Sequence, residues 1–133
     1  MSQIDTYSHD VSGEKEFGFA QSIKVGDTIY VSGQLSHDAE GTFLYPDDLG
    51  AQLQQVWSNL DAVLRYHGVT RNQVALDTVF VVDLHENAAA IAASHLAYFG
   101  DHRPTSTTVG AAALFFPGQL VEINVIVDTR LPA

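Results

Sequence analysis

The sequence lacks cysteine, has few basic residues and contains no long apolar run, and each absence excludes a class of protein. Without cysteine, disulfides and thiolate metal sites are impossible. No apolar stretch approaches the roughly 18 residues of a membrane-spanning helix. The first ten residues are polar and show no basic-then-apolar signal pattern. We therefore expect a cytoplasmic protein with no membrane partner.

The shortage of basic residues also bears on possible partners. The chain has 16 acidic residues against six lysines and arginines, for a formal net charge of −10. The six bases are scattered and form no run or stripe. Because binding to nucleic acids depends mainly on cationic contacts to phosphate, we expect no nucleic-acid partner.

Motifs for metals, phosphates and nucleophilic serines are missing as well. None of the six histidines has a partner at a metal-binding spacing, and His85-Glu86 lacks the second histidine of a zinc helix. The chain has neither a glycine-rich phosphate loop ending in Lys-Ser/Thr nor a Gly-x-Ser-x-Gly elbow. The sequence therefore predicts no metal, no cofactor and no serine-hydrolase chemistry.

What is present indicates one α+β domain over residues 1–133. Its 46% apolar content suits a compact core. Residues 19–34 alternate around Gly26-Asp27, which predicts a β-hairpin. Pro46-Asp47-Asp48 opens a helix, and Gly68 ends it. Further on, the pattern predicts a strand over 73–83, a helix over 87–99, and strands over 106–114 and 119–129 around the turn 116–118.

The resulting order is β-β-α-β-α-β-β, a mixed sheet with both helices on one face because parallel crossovers are right-handed. On the last strand, one set of alternating residues is purely apolar. The other set mixes Glu122, Asn124 and Ile126. A mixed face without a helix over it predicts burial against another subunit.

Three segments carry a recognisable pattern in order. They are residues 25–34 in the hairpin, residues 52–64 in the first helix, and residues 103–123, which include Pro104, Thr108, Val109, Pro117 and Glu122. Together these segments resemble those of the Rid (YjgF/UK114) family. The resemblance covers about residues 17–131.

The resemblance implies a chorismate mutase-like fold and a homotrimer with ligand sites in the clefts between protomers. It also implies hydrolysis of 2-imino or 2-enamino acids made by pyridoxal-dependent enzymes. In this family an Arg holds the substrate carboxylate. Aligned on Pro104 and Val109, that position is Ser106 here; the family's Tyr is Phe19, and its helical Asn falls near Ala92.

Glu122 matches the family's Glu and is the predicted catalytic residue, since a carboxylate can orient water and shuttle a proton. The predicted substrate-binding residues are Phe19, Gly33, Ser106, Thr107 and Phe116. Arg103 is a possible replacement cation, and His95 is either a core or interface residue with a satisfied ring nitrogen or a cleft residue. Ser106 and Thr107 as plain strand-surface residues, and Phe19 as packing, remain the simpler alternatives.

A hydroxyl cannot copy the bidentate grip of a guanidinium on a carboxylate. We therefore expect a small-molecule hydrolase or deaminase acting on an imine, an enamine or a related labile metabolite, but not on a simple 2-imino acid. The alternative is a non-catalytic small-molecule-binding or chaperone-like trimer. An accessory protein acting on a specialised pathway substrate is a third possibility.

Overall fold

The computed structural model describes residues 4–133 and shows helices packed on one face of a six-stranded mixed sheet. The elements in chain order are β1 (Ile4–Tyr7), α1 (Ser12–Phe17), β2 (Ser22–Val25), β3 (Thr28–Gln34), α2 (Leu49–His67), a 3-10 turn (Arg71–Gln73), β4 (Val74–Val82), α3 (Leu84–Phe99), β5 (Thr105–Ala111) and β6 (Val121–Asp128). The strand order is β1-β2-β3-β6-β4-β5, and only β4 and β5 run parallel. The predicted α+β class is confirmed.

The strongest local sequence signals appear as expected. Strands β2 and β3 pair across Gly26-Asp27, and Gly26 has a φ of 60°. Helix α2 follows Asp48, whose side chain accepts a hydrogen bond of 3.1 Å from the backbone N–H of Ala51. It ends before Gly68, at a φ of 66°. Such a left-handed residue favours glycine, which has no Cβ to clash.

Elements near the chain start and at one helix boundary differ from the sequence expectations. Strand β1 and helix α1 were not predicted, because four and six residues are too few to show a periodic pattern. Residues 1–3 of the polar segment lie outside the described residues. Helix α3 starts at Leu84 rather than at residue 87, because Asp83, at a φ of 53°, turns the chain directly out of β4.

The predicted turn at residues 116–118 does not close a hairpin. Strand β4 lies between β5 and β6, so the two strands flanking this turn are not neighbours. Helix α3 connects the parallel pair β4 and β5. Helix α2 connects β3 to β4 across β6, so both crossovers place their helices on the same face, as the right-handed rule requires.

Strand β6 contributes one set of alternating side chains to the core and the other set to the opposite face of the sheet. The side chains of Val121, Ile123, Val125 and Val127 are at most 1% exposed and face the helices. The alternate residues of β6 are only partly buried, as the alternation predicted.

The uncovered side of the sheet is called the open face here. It includes Tyr30, Leu76, Val109, Asn124 and Ile126. Tyr30 and Val109 are 48% and 39% exposed, respectively. The side-chain oxygen of Asn124 is buried without a hydrogen-bond partner among residues 4–133.

Gln52 joins the start of α2 to two loops. Its side-chain nitrogen donates to the carbonyl oxygens of Tyr45 and Gly118, both at 2.8 Å. Its side-chain oxygen accepts from the backbone N–H of Leu120 at 2.8 Å. The side chain is fully buried. One glutamine thus satisfies three backbone groups in the segments that lead into α2 and β6.

Replacing Gln52 with alanine should destabilise the protein strongly. Each buried polar group left unpaired costs about 1–3 kcal/mol, so we expect Gln52→Ala to lose about 3 kcal/mol or more of unfolding free energy. Urea denaturation would measure the loss. The matched control is Gln54→Ala, two residues along the same helix at an exposed position. Equal stability of the two variants would contradict this role for Gln52.

Candidate functional site

All but one of the predicted site residues lie in one of two separate depressions. The acidic pocket, with a volume of about 340 Å³, contains Glu122, Gly33, Phe19 and Phe116 in its lining. The histidine pocket, with a volume of about 470 Å³, lies beside α3 and β5 and contains Ser106. Within one chain, therefore, Ser106 is not brought together with the other candidates.

Thr107 lines neither depression in the described part of the chain. Successive side chains of a strand point to opposite faces of the sheet. Ser106 points to the helix side and bonds Asp77, so Thr107 points to the open face, beside its register partner Thr78. This alternation separates two residues that are adjacent in the sequence.

Glu122 lies at the base of the acidic pocket in close contact with Gly33. A Cβ on Gly33 would fall 2.1 Å from Glu122 Oε2 and 2.7 Å from its Cδ, so only glycine leaves room for this carboxylate. Gln119 Nε2 donates to Oε1 at 3.1 Å. It is the only hydrogen bond to the carboxylate among residues 4–133. Oε2 is thus left available to a ligand or a water molecule.

Burial raises the pKa of the Glu122 carboxyl above its usual range, and the hydrogen bond from Gln119 only partly offsets that effect. Removal from water disfavours the charged form of a carboxyl group. A carboxyl group with a raised pKa exchanges protons more readily near neutral pH, which suits general acid–base chemistry.

Four phenylalanines line the acidic pocket, and a fifth, Phe43, stacks on one of them. Phe17 and Phe115 meet edge to face, with ring centroids 5.2 Å apart, and they are 59% and 65% exposed. Phe116 stacks on Phe43 at 5.2 Å, with 2° between the ring planes. Phe19 is 43% exposed. The pocket therefore has an apolar aromatic rim above a single carboxylate.

Two polar side chains that line the acidic pocket, Gln21 and Ser32, are hydrogen-bonded to neighbours. Gln34 Nε2 donates to Gln21 Oε1 at 2.8 Å, and Gln34 Oε1 lies 3.0 Å from His9 Nε2. Ser32 Oγ donates to the carbonyl of Ala20 at 2.7 Å. Such contacts keep these groups in place.

His37 and the segment before α1 complete the wall. His37 Nδ1 donates to the carbonyl oxygen of Asp38 at 2.8 Å. Glu14 accepts hydrogen bonds from the backbone N–H groups of His9 and Val11, at 2.7 and 3.2 Å, and from Ser8 Oγ. Burial alone would raise the Glu14 pKa, but these hydrogen bonds lower it overall. The sequence did not nominate Glu14, His9, Gln21 or Gln34 as site residues, because their contacts are set by tertiary packing.

In the histidine pocket, a buried carboxylate links Ser106 to His95. Asp77 is fully buried, and its Oδ1 accepts from Ser106 Oγ at 2.5 Å. His95 Nε2 lies 2.6 Å from Asp77 Oδ2 and 3.4 Å from Ser106 Oγ. In a catalytic triad the serine and the aspartate contact different ring nitrogens, whereas both contact the same one here. The cluster therefore anchors β5 to α3 rather than activating Ser106.

The two remaining candidates, His95 and Arg103, both line the histidine pocket. As expected, one ring nitrogen of His95 has a hydrogen-bond partner, and that partner is Asp77. Arg103 donates to the backbone carbonyls of Gly100 and His102, and it forms no ion pair within residues 4–133. Both side chains therefore lie near Ser106, on the other side of the sheet from Thr107.

Residues 4–133 contain neither a metal-binding cluster nor a membrane-spanning helix. No group of three or more histidine, aspartate or glutamate side chains there could hold a metal ion. None of the described helices is long and apolar enough to cross a membrane.

The raised pKa of Glu122 predicts a pH-dependent stability difference. Its folded-state pKa lies above the unfolded value, so its favourable contribution is complete at low pH and is lost as pH rises through the folded pKa. We expect Glu122→Gln to match wild type near about pH 4 and to melt at a higher temperature near about pH 8. Thermal melts across this range would test it.

The matched control for this melt series is Glu86→Gln. Glu86 is an exposed acid in the first turn of α3, where negative charge interacts favourably with the helix dipole. Its replacement should therefore lower stability slightly at neutral pH, opposite in sign to the effect of Glu122→Gln. Parallel curves for the two variants would contradict the burial of a charge at Glu122.

Gly33→Ala should displace the Glu122 carboxylate while preserving the fold. The φ of Gly33 lies outside the left-handed region, so alanine is tolerated by the backbone, and the clashing atoms belong to one flexible side chain. We expect a small loss of unfolding free energy and a marked loss of ligand binding or turnover. Calorimetric unfolding beside a binding assay would separate the two effects. Undiminished binding or turnover would contradict the close Gly33–Glu122 contact.

Comparisons with known proteins agree with this architecture. A family model described as Endoribonuclease L-PSP matches residues 13–129. A RutC family protein of Sulfurisphaera tokodaii is 33% identical over 110 residues, covering 81% of this chain and 85% of the relative. A RutC family protein of Pyrococcus abyssi is 32% identical over 96 residues, covering 72% and 75%.

Solved structures are similar along nearly the whole chain. RidA from the Antarctic bacterium Psychrobacter has a TM-score of 0.79 at 30% identity, covering 96% of this chain and 99% of that one. A YjgF/YER057c/UK114 family member from Mycobacterium tuberculosis has a TM-score of 0.83 at 24% identity, covering 94% and 98%. From the matching model and these relatives, the chain belongs to the YjgF/Rid family.

Proposed function

We propose that the protein hydrolyses the C=N bond of an imine, an enamine or a related labile metabolite, with Glu122 as the acid–base residue. The observation that carries the proposal is the half-paired Glu122 carboxylate in an aromatic pocket, where Oε2 has no hydrogen-bond partner among residues 4–133. Family membership is consistent with a small-molecule hydrolase or deaminase of this type.

The reaction needs one group that can accept a proton and return it. Water adds through its oxygen to the imine carbon, the C=N π electrons move to nitrogen, and Glu122 takes the proton released by the water. The protonated Glu122 then gives this proton to nitrogen. A second proton then passes from the carbinolamine hydroxyl through Glu122 to nitrogen. The C–N bond breaks as the C–O bond becomes a carbonyl, so an imine and water yield a carbonyl compound and ammonia. A raised Glu122 pKa supports both directions of transfer.

A homotrimer would cover the open face. This face carries exposed Tyr30 and Val109, and the buried side-chain oxygen of Asn124 has no hydrogen-bond partner among residues 4–133. Contact with a second copy would remove the exposed apolar groups from water. A cleft between copies would then border the acidic pocket. We propose this arrangement for the ligand site, without nucleic acid and in the cytoplasm.

The substrate is expected to differ from a simple 2-imino acid. Position 106 carries a hydroxyl, and no lysine or arginine lines the acidic pocket in the described chain. A hydrogen bond to a charged group contributes about 1.5–3 kcal/mol, against about 0.5–1.5 kcal/mol for a neutral one. Adding the missing cation should not repair the clamp, because an Arg at position 106 would lie beside buried Asp77 and pair with it.

The test is ammonia release from freshly generated imines, with and without a carboxylate. We expect wild type to accelerate hydrolysis and Glu122→Gln to lose about 100-fold or more, the usual range for an acid–base residue. Glu86→Gln should retain wild-type turnover, and Ser106→Arg should gain none on 2-imino acids. Sedimentation must show the same oligomer for every variant.

Two results would contradict this proposal. If wild type releases no ammonia from any imine but is stabilised by small ligands, the non-catalytic binding trimer is correct. If Glu122→Gln keeps full turnover while its oligomer is intact, Glu122 is not the acid–base residue.

A further inference from the structure

The acidic pocket has an unusual balance of charge for a site in a family of imine hydrolases. Glu122 is its only acidic lining residue, and neither lysine nor arginine accompanies it in the described chain. His37 also lines the pocket, but it is almost fully buried and donates Nδ1–H to the Asp38 carbonyl. The pocket therefore offers a negative charge and no fixed positive one.

The aromatic rim matches the same kind of ligand. Phe17, Phe19, Phe115 and Phe116 all line the pocket. The face of an aromatic ring carries negative electrostatic potential and attracts cations, most strongly when water is partly excluded. The aromatic rings and the carboxylate thus both favour a positively charged ligand. The net charge of −10 also raises the local concentration of small cations.

From this charge balance we propose that the acidic pocket binds cationic ligands without a carboxylate, namely protonated imines derived from apolar or aromatic amines. The iminium N–H donates to Glu122 Oε2, and the hydrocarbon part packs against the phenylalanines. The substrate must therefore be supplied by a reaction that oxidises an amine, not an α-amino acid. This inference rests on the proposed function for the reacting group, but ligand binding tests it separately.

A carboxylate-bearing ligand fits the same pocket poorly. Its negative charge would approach Glu122 in a partly buried site, where repulsion between like charges is weakly screened. Arg103 lines the other depression, together with Ser106. Within one protomer the pocket thus repels anions and attracts cations, and both effects contribute to specificity.

The experiment compares three probes of similar size by titration calorimetry on the intact oligomer: benzamidinium, benzyl alcohol and benzoate. We expect benzamidinium to bind tightest and benzoate weakest. In Glu122→Gln, benzamidinium should lose about tenfold or more in affinity, as for a charge-assisted hydrogen bond. The neutral alcohol should change little, and Glu86→Gln should leave all three affinities unchanged.

A second pair of variants separates ring and charge contributions. Phe19→Leu keeps an apolar side chain but removes one ring, so it should weaken benzamidinium more than benzyl alcohol. Gly33→Ala should weaken benzamidinium by displacing Glu122. Benzoate binding as tightly as benzamidinium, or a benzamidinium affinity unchanged by Glu122→Gln, would overturn the inference.

The same data distinguish the two proposals. Preference for benzamidinium without ammonia release from any imine keeps the ligand class and rejects the hydrolase. Ammonia release from 2-imino acids together with tight benzoate binding keeps the hydrolase and rejects the ligand class.

Discussion

The burial of one face of strand β6 governs the rest of the structure. This strand lies between β3 and β4, and its four apolar side chains from Val121 to Val127 pack beneath the helices. Because side chains alternate along a strand, burying this set sends Glu122, Asn124 and Ile126 to the other side of the sheet. The same alternation thus builds the core and delivers the candidate catalytic carboxylate and the open face. A shift of register by one residue would bury Glu122 in the core and expose the valines.

Glu122 is held at a cost to stability, and the surrounding residues reduce that cost only in part. Gln119 satisfies one oxygen, Gly33 makes space for the other, and neither lysine nor arginine lines the pocket within residues 4–133. Burial raises the pKa of the Glu122 carboxyl. Asp77 differs in its hydrogen bonding, since Ser106 and His95 occupy both of its oxygens in the core. One carboxylate is fully paired and ties β5 to α3, while the other has one oxygen without a hydrogen-bond partner among residues 4–133.

Loss of the family's Arg is accompanied by a different set of contacts at position 106. A serine there fits the short distance to Asp77, and that aspartate is bonded in turn to His95 on α3. The three residues form one packed unit, so position 106 cannot be exchanged without affecting the other two. Ser106 is thus structurally coupled to Asp77 and His95, and we propose that the charge selectivity of the site lies in the pocket around Glu122.

The sequence alone was sufficient to predict the elements that have strong local signals. Asp48 and Gly68 marked the ends of α2, Gly26-Asp27 marked the hairpin, and the alternation along β6 separated its two faces. The ordered motifs were sufficient to recognise the family, and the match to Glu122 was sufficient to nominate a catalytic residue. Each of these inferences depends on neighbouring residues, on strand or helix periodicity, or on a motif, and all three can be read along the chain.

Only the tertiary structure decided how the site is composed. Ser106 and Thr107 were grouped with Phe19 because motifs carry no information about which face of the sheet a side chain occupies. The pairing of Asp77 with His95 and Ser106 joins β4, α3 and β5, and the contact of Gly33 with Glu122 joins β3 and β6. These contacts arise when strands distant in sequence become neighbours in the sheet. The sequence determined which elements form, whereas long-range packing decided which side chains meet.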